Sequence, residues 1–241
     1  STQAKTLFPY TTLFRSRILE KHYPNEYVLK NEFLNNWIKN ELGTNNSIIF
    51  NEFRIGKAIA DLAMFNGTSK VFEIKTILDK EYRLSNQIQE YKKIFNEVYI
   101  IVPKQQVLKY LNYDNSVGVV TYDSILKKFE LYRKAEKINK LDSEILMEIL
   151  HSKEYVKISK NYYGELPEMN SFNQFEICKK LISKIPQNDL NNLFIATMKD
   201  RNINNQFFNK VNNEFNQISL SLNLKRQERD KLINILKTNT I

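Results

Sequence analysis

Residues 48–77 read IIFNEFRIGKAIADLAMFNGTSKVFEIKTI, three short runs rich in β-branched and aromatic residues: Ile48–Ile55, Lys57–Asn66 and Lys70–Ile77. Gly56 separates the first two, and Asn66-Gly67-Thr68-Ser69 separates the second pair. Such residues close tight hairpins, so the stretch predicts an antiparallel meander. The runs are apolar enough for a core, yet they carry charge. Asp61 is the only charge in Ile59–Ala63, and Glu73 and Lys75 stand two apart in Val71–Thr76. Strand alternation puts Glu73 and Lys75 on one face and Phe72 and Ile74 on the other, and the short connection brings Asp61 beside Glu73. Two carboxylates about 4 Å apart repel by roughly 4 kcal/mol at an effective dielectric near 20. Positive charge must sit between them, and Lys75 and a hard divalent cation both qualify.

The flanks complete an α/β pattern. Val28, Leu29, Phe33, Leu34, Trp37, Ile38 and Leu42 recur at helical spacing between Asn25, an N-cap residue type, and Gly43. A second helix is predicted from Lys80 to Glu97 on the stripe Leu84, Ile88, Tyr91 and Phe95, followed by a wholly apolar strand, Val98–Val102. Pro103 opens a short helix through Leu111, and Val117–Tyr122 and Phe129–Arg133 read as further strands. Past Lys134 the pattern is helical: Ser143–His151, Phe172–Ile185, Leu190–Lys199, Phe207–Ile218 and Leu222–Leu236, with a linker over Tyr162–Ser171. The prediction is a mixed central sheet flanked by helices over 17–135 and an all-α region over 136–241. Leu7–Ser16, LFPYTTLFRS, resembles translated sequencing-adapter sequence, so residues 1–16 are set aside from the fold.

Composition narrows the chemistry. The 241 residues are 42% hydrophobic and 26% charged, with a net charge of +9 that favours a polyanionic partner. No apolar run approaches the roughly 20 residues of a spanning helix, so no membrane partner is expected. One cysteine, Cys178, rules out an intrachain disulfide, and the expected compartment is the cytoplasm. Two histidines, His22 and His151, with that lone cysteine fall short of a structural zinc set. Gly56-Lys57 is not a phosphate-binding loop, because Asn51 replaces its first glycine and Ala58 its Ser/Thr. Chemistry here has to run on carboxylates, lysines and amides.

An aspartate in one strand of a hairpin followed by Glu-x-Lys in the next resembles the signature of the PD-(D/E)XK nuclease superfamily. Here it reads Ile59-Ala60-Asp61, eleven residues, then Glu73-Ile74-Lys75, with Ala60 where a proline is usual. Gln87-Ile88-Gln89-Glu90-Tyr91 resembles the Gln-x-x-x-Tyr motif of a RecB-like subset. Asn51-Glu52-Phe53-Arg54, Ala60-Asp61, Glu73-Ile74-Lys75-Thr76, Arg83-Leu84, Gln87 and Tyr91 together resemble a bacterial family of uncharacterised nuclease-like proteins with a helical C-terminal region.

The resemblance implies a restriction-endonuclease-like fold and a metal-dependent nuclease, with DNA as the expected polymer. It implies Mg²⁺, or Mn²⁺ in its place, on Asp61, Glu73 and the backbone carbonyl of Ile74. Glu52 is the preferred additional acid and Glu32, on the first helix, its rival. The catalytic set it implies is Asp61, Glu73, Lys75, Gln87 and Tyr91, with Arg54 and Arg83 gripping neighbouring phosphates. Many such nucleases pair to cut both strands, so a homodimer is a further expectation. The competing expectation is a catalytically silent module that keeps the fold and binds nucleic acid or a protein.

Overall fold

The computed structural model describes residues 26–41, 47–79, 81–201 and 213–238. Helix α1 (Glu26–Phe33) runs on through a π-helical stretch, Leu34–Ile38, into a last turn, Lys39–Glu41. It is followed by β1 (Ile48–Ile55), β2 (Ala58–Phe65) and β3 (Ser69–Ile74). A 3-10 turn, Glu81–Arg83, leads into α2 (Leu84–Lys92), then come β4 (Glu97–Pro103), α3 (Val107–Leu111), β5 (Gly118–Asp123) and β6 (Lys128–Arg133). The helical part comprises α4 (Ser143–Ile149), α5 (Ser152–Tyr163), α6 (Gln174–Ile182), α7 (Gln187–Lys199), α8 (Asn216–Ser221) and α9 (Arg226–Thr238).

The six strands lie in sequence order in one mixed sheet: β1, β2 and β3 antiparallel, β3, β4 and β5 parallel, and β6 antiparallel to β5. The meander expected over 48–77 is therefore present, and its turns explain themselves. Ile55 pairs with Ala58 across Gly56-Lys57, with Gly56 at φ +52, and Phe65 pairs with Ser69 across a three-residue loop in which Gly67 takes φ +99. The β4 residues Val98–Val102 are buried throughout, as a strand covered on both faces requires.

Both faces of the sheet carry a core. On one, Leu29, Phe33, Leu34 and Ile38 of α1 pack on Leu62, Phe72, Ile74, Tyr99 and Tyr122. On the other, Leu84, Ile88 and Tyr91 of α2 share a cluster with Phe50, Phe65, Val71 and Ile100. Leu146, Ile158, Ile182 and Phe194 join that second cluster, so the helices α4 to α7 close the sheet's own core. Phe65 of β2 meets Phe194 of α7 edge-on at 5.4 Å.

Several boundaries shift for local reasons. Helix α2 stops at Lys92 rather than Glu97, because Ile94 and Phe95 both bond back to the Tyr91 carbonyl and Asn96 clasps Ser69 with its side chain. Helix α5 fills 152–163, where no helix is predicted; its sequence offers only Tyr155, Ile158 and Ser159 as a buried stripe. In the expected helix Phe207–Ile218, residues 207–212 lie outside the described ones, 213–215 form a 3-10 turn, and α8 runs past Ile218 to Ser221. Asn223, at φ +49, ends α8, so the next helix begins at Arg226 instead of Leu222.

Two features fix the packing tightly enough to test. A Cβ on Gly118 would lie 2.3 Å from two ring carbons of Tyr99 and 2.8 Å from the Ala135 amide nitrogen. Gly118→Ala must push a buried ring aside and is expected to cost about 1–3 kcal/mol, read as a lower denaturation midpoint. The second is a clasp. Arg201, just past α7, donates Nε and Nη2 to the two Glu154 oxygens at 2.7 Å each and also bonds the Ile149 carbonyl, while its guanidinium lies 5.9 Å from the Phe50 ring centre. Burial raises the Glu154 carboxyl, but the Arg201 bonds and the His151 amide outweigh it and hold the group below its ordinary value. A depressed carboxylate contributes stability above its unfolded value and loses it as pH falls through the folded one. Glu154→Gln is thus expected to cost about 1–2 kcal/mol near neutrality. That deficit should vanish in acid, as urea unfolding at several pH values will show.

Candidate functional site at a strand fork

The last β2–β3 pair is Leu62–Phe72; beyond it β3 stays with β4, through Ile74–Ile101, while β2 diverges. The sheet opens into a fork there. Asp61 stands on the β2 side and Glu73 on β3, each one residue past the last pair. Asp61 Oδ2 accepts the Ile74 amide at 2.7 Å, replacing the lost ladder bond. A residue in an extended strand directs its N–H and C=O to the same edge, so the Ile74 carbonyl also faces the gap.

Glu73 is 4% exposed and receives three donors. Lys75 Nζ is 2.8 Å and Gln87 Nε2 2.7 Å from its Oε1, and the Tyr91 hydroxyl donates to Oε2 at 2.6 Å. Lys75 Nζ reaches Gln87 Oε1 at 3.3 Å. The four-residue step in α2 sets Gln87 and Tyr91 on one face, above β3, and both grip Glu73. Burial, then the Asp61 charge, raise the Glu73 carboxyl above the ordinary range despite Lys75 and Tyr91. Burial and Glu73 drive the Tyr91 phenol far upward, so it stays a neutral donor.

Two residues enter that the motif does not contain. Lys30 of α1, 3% exposed, places Nζ 3.0 Å from Asp61 Oδ1 and 3.3 Å from Glu26 Oε1. Burial lowers the Lys30 ammonium, but Asp61 and Glu26 outweigh it and hold it above its usual value, while burial and Asp61 raise Glu26. The first helix does supply an acid beside Asp61, and it is Glu26. The sequence signal was a lysine on an apolar stripe, with Leu34 one turn on and Glu26 one turn back.

The expected additional acids go elsewhere. Glu32 accepts from Asn36 Nδ2 and lies 3.9 Å from Lys127, at the β5–β6 end of the sheet. Glu52 is exposed, sits at φ +56, and lines a separate cleft of about 440 Å³ with His151, Glu148 and Arg201. The strict alternation that pairs Glu52 with Phe50 and Arg54 fails because Glu52, which the ladder skips between the pairs Asn51–Leu62 and Phe53–Ala60, takes a left-handed conformation, and Phe50 and Phe53 both enter one core. Arg54 and Arg83 are exposed; Arg54 borders that cleft, and Arg83 lies over the Tyr82 ring at 5.2 Å.

This arrangement defines a mixed α/β protein whose splayed central strands bury a carboxylate–lysine–amide cluster. Residues 20–225 match the family model described as bacteriophage P4 protein cII, and the chain belongs to that family. Protein cII of Enterobacteria phage P4 is 29% identical over 180 residues, a match spanning 71% of this chain and 66% of the phage protein's length. A solved structure, the SPO1766 protein of unknown function from Silicibacter pomeroyi, aligns with a TM-score of 0.38 at 14% identity, covering 58% of this chain and 93% of the other.

Proposed function

We propose that the chain is a magnesium-dependent nuclease that hydrolyses phosphodiester bonds of nucleic acid, DNA first, at the fork. The observation that carries this reading is the convergence of Asp61, Glu73 and Lys75 in one buried cluster with Gln87 and Tyr91. The likeness of these residues to the PD-(D/E)XK signature supplies the reaction class.

The residues fit a hard divalent cation. Among the described residues Glu26, Asp61 and Glu73 face two ammonium groups, Lys30 and Lys75, so the ionised cluster carries excess negative charge. Among the described residues no three His, Cys, Asp or Glu form a ready-made cage. A cation would therefore rest on Asp61, Glu73 and the Ile74 carbonyl, with water completing its shell, as Mg²⁺ prefers. Bound there, it would supply Lewis-acid polarisation of a phosphoryl oxygen and a more acidic water. Lys75 orients the attacking water and meets charge developing on the phosphate. Gln87 and Tyr91 hold Glu73 and Lys75 in register, and Tyr91 donates without releasing its proton.

One observation favours the rival, a silent module: Lys30 already neutralises Asp61, and three donors already satisfy Glu73. Thermal melting with and without Mg²⁺ or Mn²⁺, beside incubation with DNA and RNA, separates the two. Metal-dependent stabilisation that requires Asp61 and accompanies cleavage supports the nuclease. Stabilisation with every substrate left intact selects the module, and no response to metal rejects the proposed site.

A further inference from the structure

Thr76 to Asp79, directly after Lys75, form a closed turn. Asp79 Oδ2 accepts from the Thr76 amide at 2.6 Å and its hydroxyl at 2.7 Å, and the Asp79 amide bonds the Thr76 carbonyl at 3.4 Å. The two central positions of such a turn normally take Pro, Gly, Asn, Asp or Ser. Here they are Ile77 and Leu78, 59% and 80% exposed. Tyr82, 68% exposed, follows within one turn of chain, with the Arg83 guanidinium over its ring. Among the described residues, neither core cluster includes these three side chains. The turn is braced by buried Thr76 and by Asp79, and it holds its apolar tip at the surface.

We infer that Ile77 and Leu78 form a wedge that enters between stacked bases of duplex DNA next to the scissile phosphate, with Tyr82 as a stacking platform for the exposed base. One position in the chain and two general properties of base recognition select this occupant. The wedge begins two residues from Lys75, the proposed phosphate-facing cation. Rigid aliphatic side chains are the type that proteins insert into base steps to unstack and kink a duplex. An aromatic ring paired with arginine offers a base a π-face without sequence demand. The inference rests on the nuclease reading for its substrate and adds that the duplex is opened locally before it is cut. Pyrimidine–purine steps unstack most easily, so cutting is expected to favour them.

The test uses the full chain, the Ile77→Ser/Leu78→Ser double variant and Tyr82→Ala, on a duplex with 2-aminopurine at the cut site and on the same sequence carrying a mismatched bubble there. Binding is followed by 2-aminopurine fluorescence in Ca²⁺, and cutting in Mg²⁺. All substituted side chains are exposed, and unchanged melting of each variant verifies its fold. Wild type is expected to raise the fluorescence of the paired duplex at least about 2-fold. The double variant is expected to lose that rise and to fall at least about 10-fold further behind wild type on the paired duplex than on the bubble. No fluorescence change with wild-type protein, or equal losses on both substrates, overturns the wedge even if the DNA is cut. Fluorescence that rises with wild type and not with the variant, while no strand is ever cut, sustains the wedge and rejects the nuclease reading.

Discussion

Lys75→Met is expected to lower magnesium-dependent cleavage by about 10³-fold while leaving the chain folded and able to bind metal. Positioned proton-transfer groups contribute about 10²–10⁴ in rate, and a charge aimed at a developing oxyanion a similar factor. Lys75, one residue past β3, reaches both Glu73 and Gln87, so one substitution removes both effects. Methionine keeps most of the buried stem and removes only the ammonium. Its loss leaves Glu73 with Gln87 and Tyr91 as donors, and Asp61 with Lys30, so the scaffold persists. Single-turnover rates at saturating Mg²⁺, alongside a metal titration followed by melting temperature, will separate lost chemistry from lost metal. A rate within a few-fold of wild type would remove Lys75 from the mechanism.

Glu73→Ala is expected to act on the fold itself. This carboxylate holds together Lys75, Gln87 and Tyr91, two of them from α2, and it is almost fully buried. Deleting it leaves an ammonium, an amide and a phenol facing a void. Breaking a buried ion pair by removing one partner typically costs about 3–5 kcal/mol, because the remaining charge is uncompensated. Lys75→Met in the same chain removes that charge, so the double variant should recover a large part of the loss. Urea unfolding of the two single variants and the double one measures this coupling. Simple additivity would mean that Glu73 and Lys75 do not act as a pair.

The meander was legible because its information is local. Gly56 and Asn66-Gly67 sit where left-handed residues are needed, and the alternation around Phe72-Glu73-Ile74-Lys75 assigns faces without reference to the rest of the chain. Gln87 and Tyr91 were legible for the same reason, one helical turn apart above their strand. What the sequence hid depends on tertiary crossings. Lys30 and Glu26 reach Asp61 because α1 lies over the fork, and nothing near residue 61 announces that. Glu52 misled because its left-handed conformation falls on a residue type that gives no warning; glycine there would have flagged the irregularity, and with it the separate cleft. Helix α5 was missed because its buried face is narrow and partly polar.

The buried pairing of Lys30 with Asp61 also refines the electrostatics. Asp61 and Glu73 need positive charge, and the chain supplies one lysine to each, from opposite faces of the sheet. When Glu26, Asp61 and Glu73 are all ionised, acid outnumbers the two lysines by one, and the cluster keeps a net negative charge.

The most direct measurement is cleavage of linear, circular and single-stranded DNA, and of RNA, in Mg²⁺ or Mn²⁺ by wild-type protein, Asp61→Ala and Lys75→Ala prepared side by side. The account predicts cutting by the wild type that stops when divalent metal is chelated and is lost in both variants. Cutting that survives in both variants would contradict it.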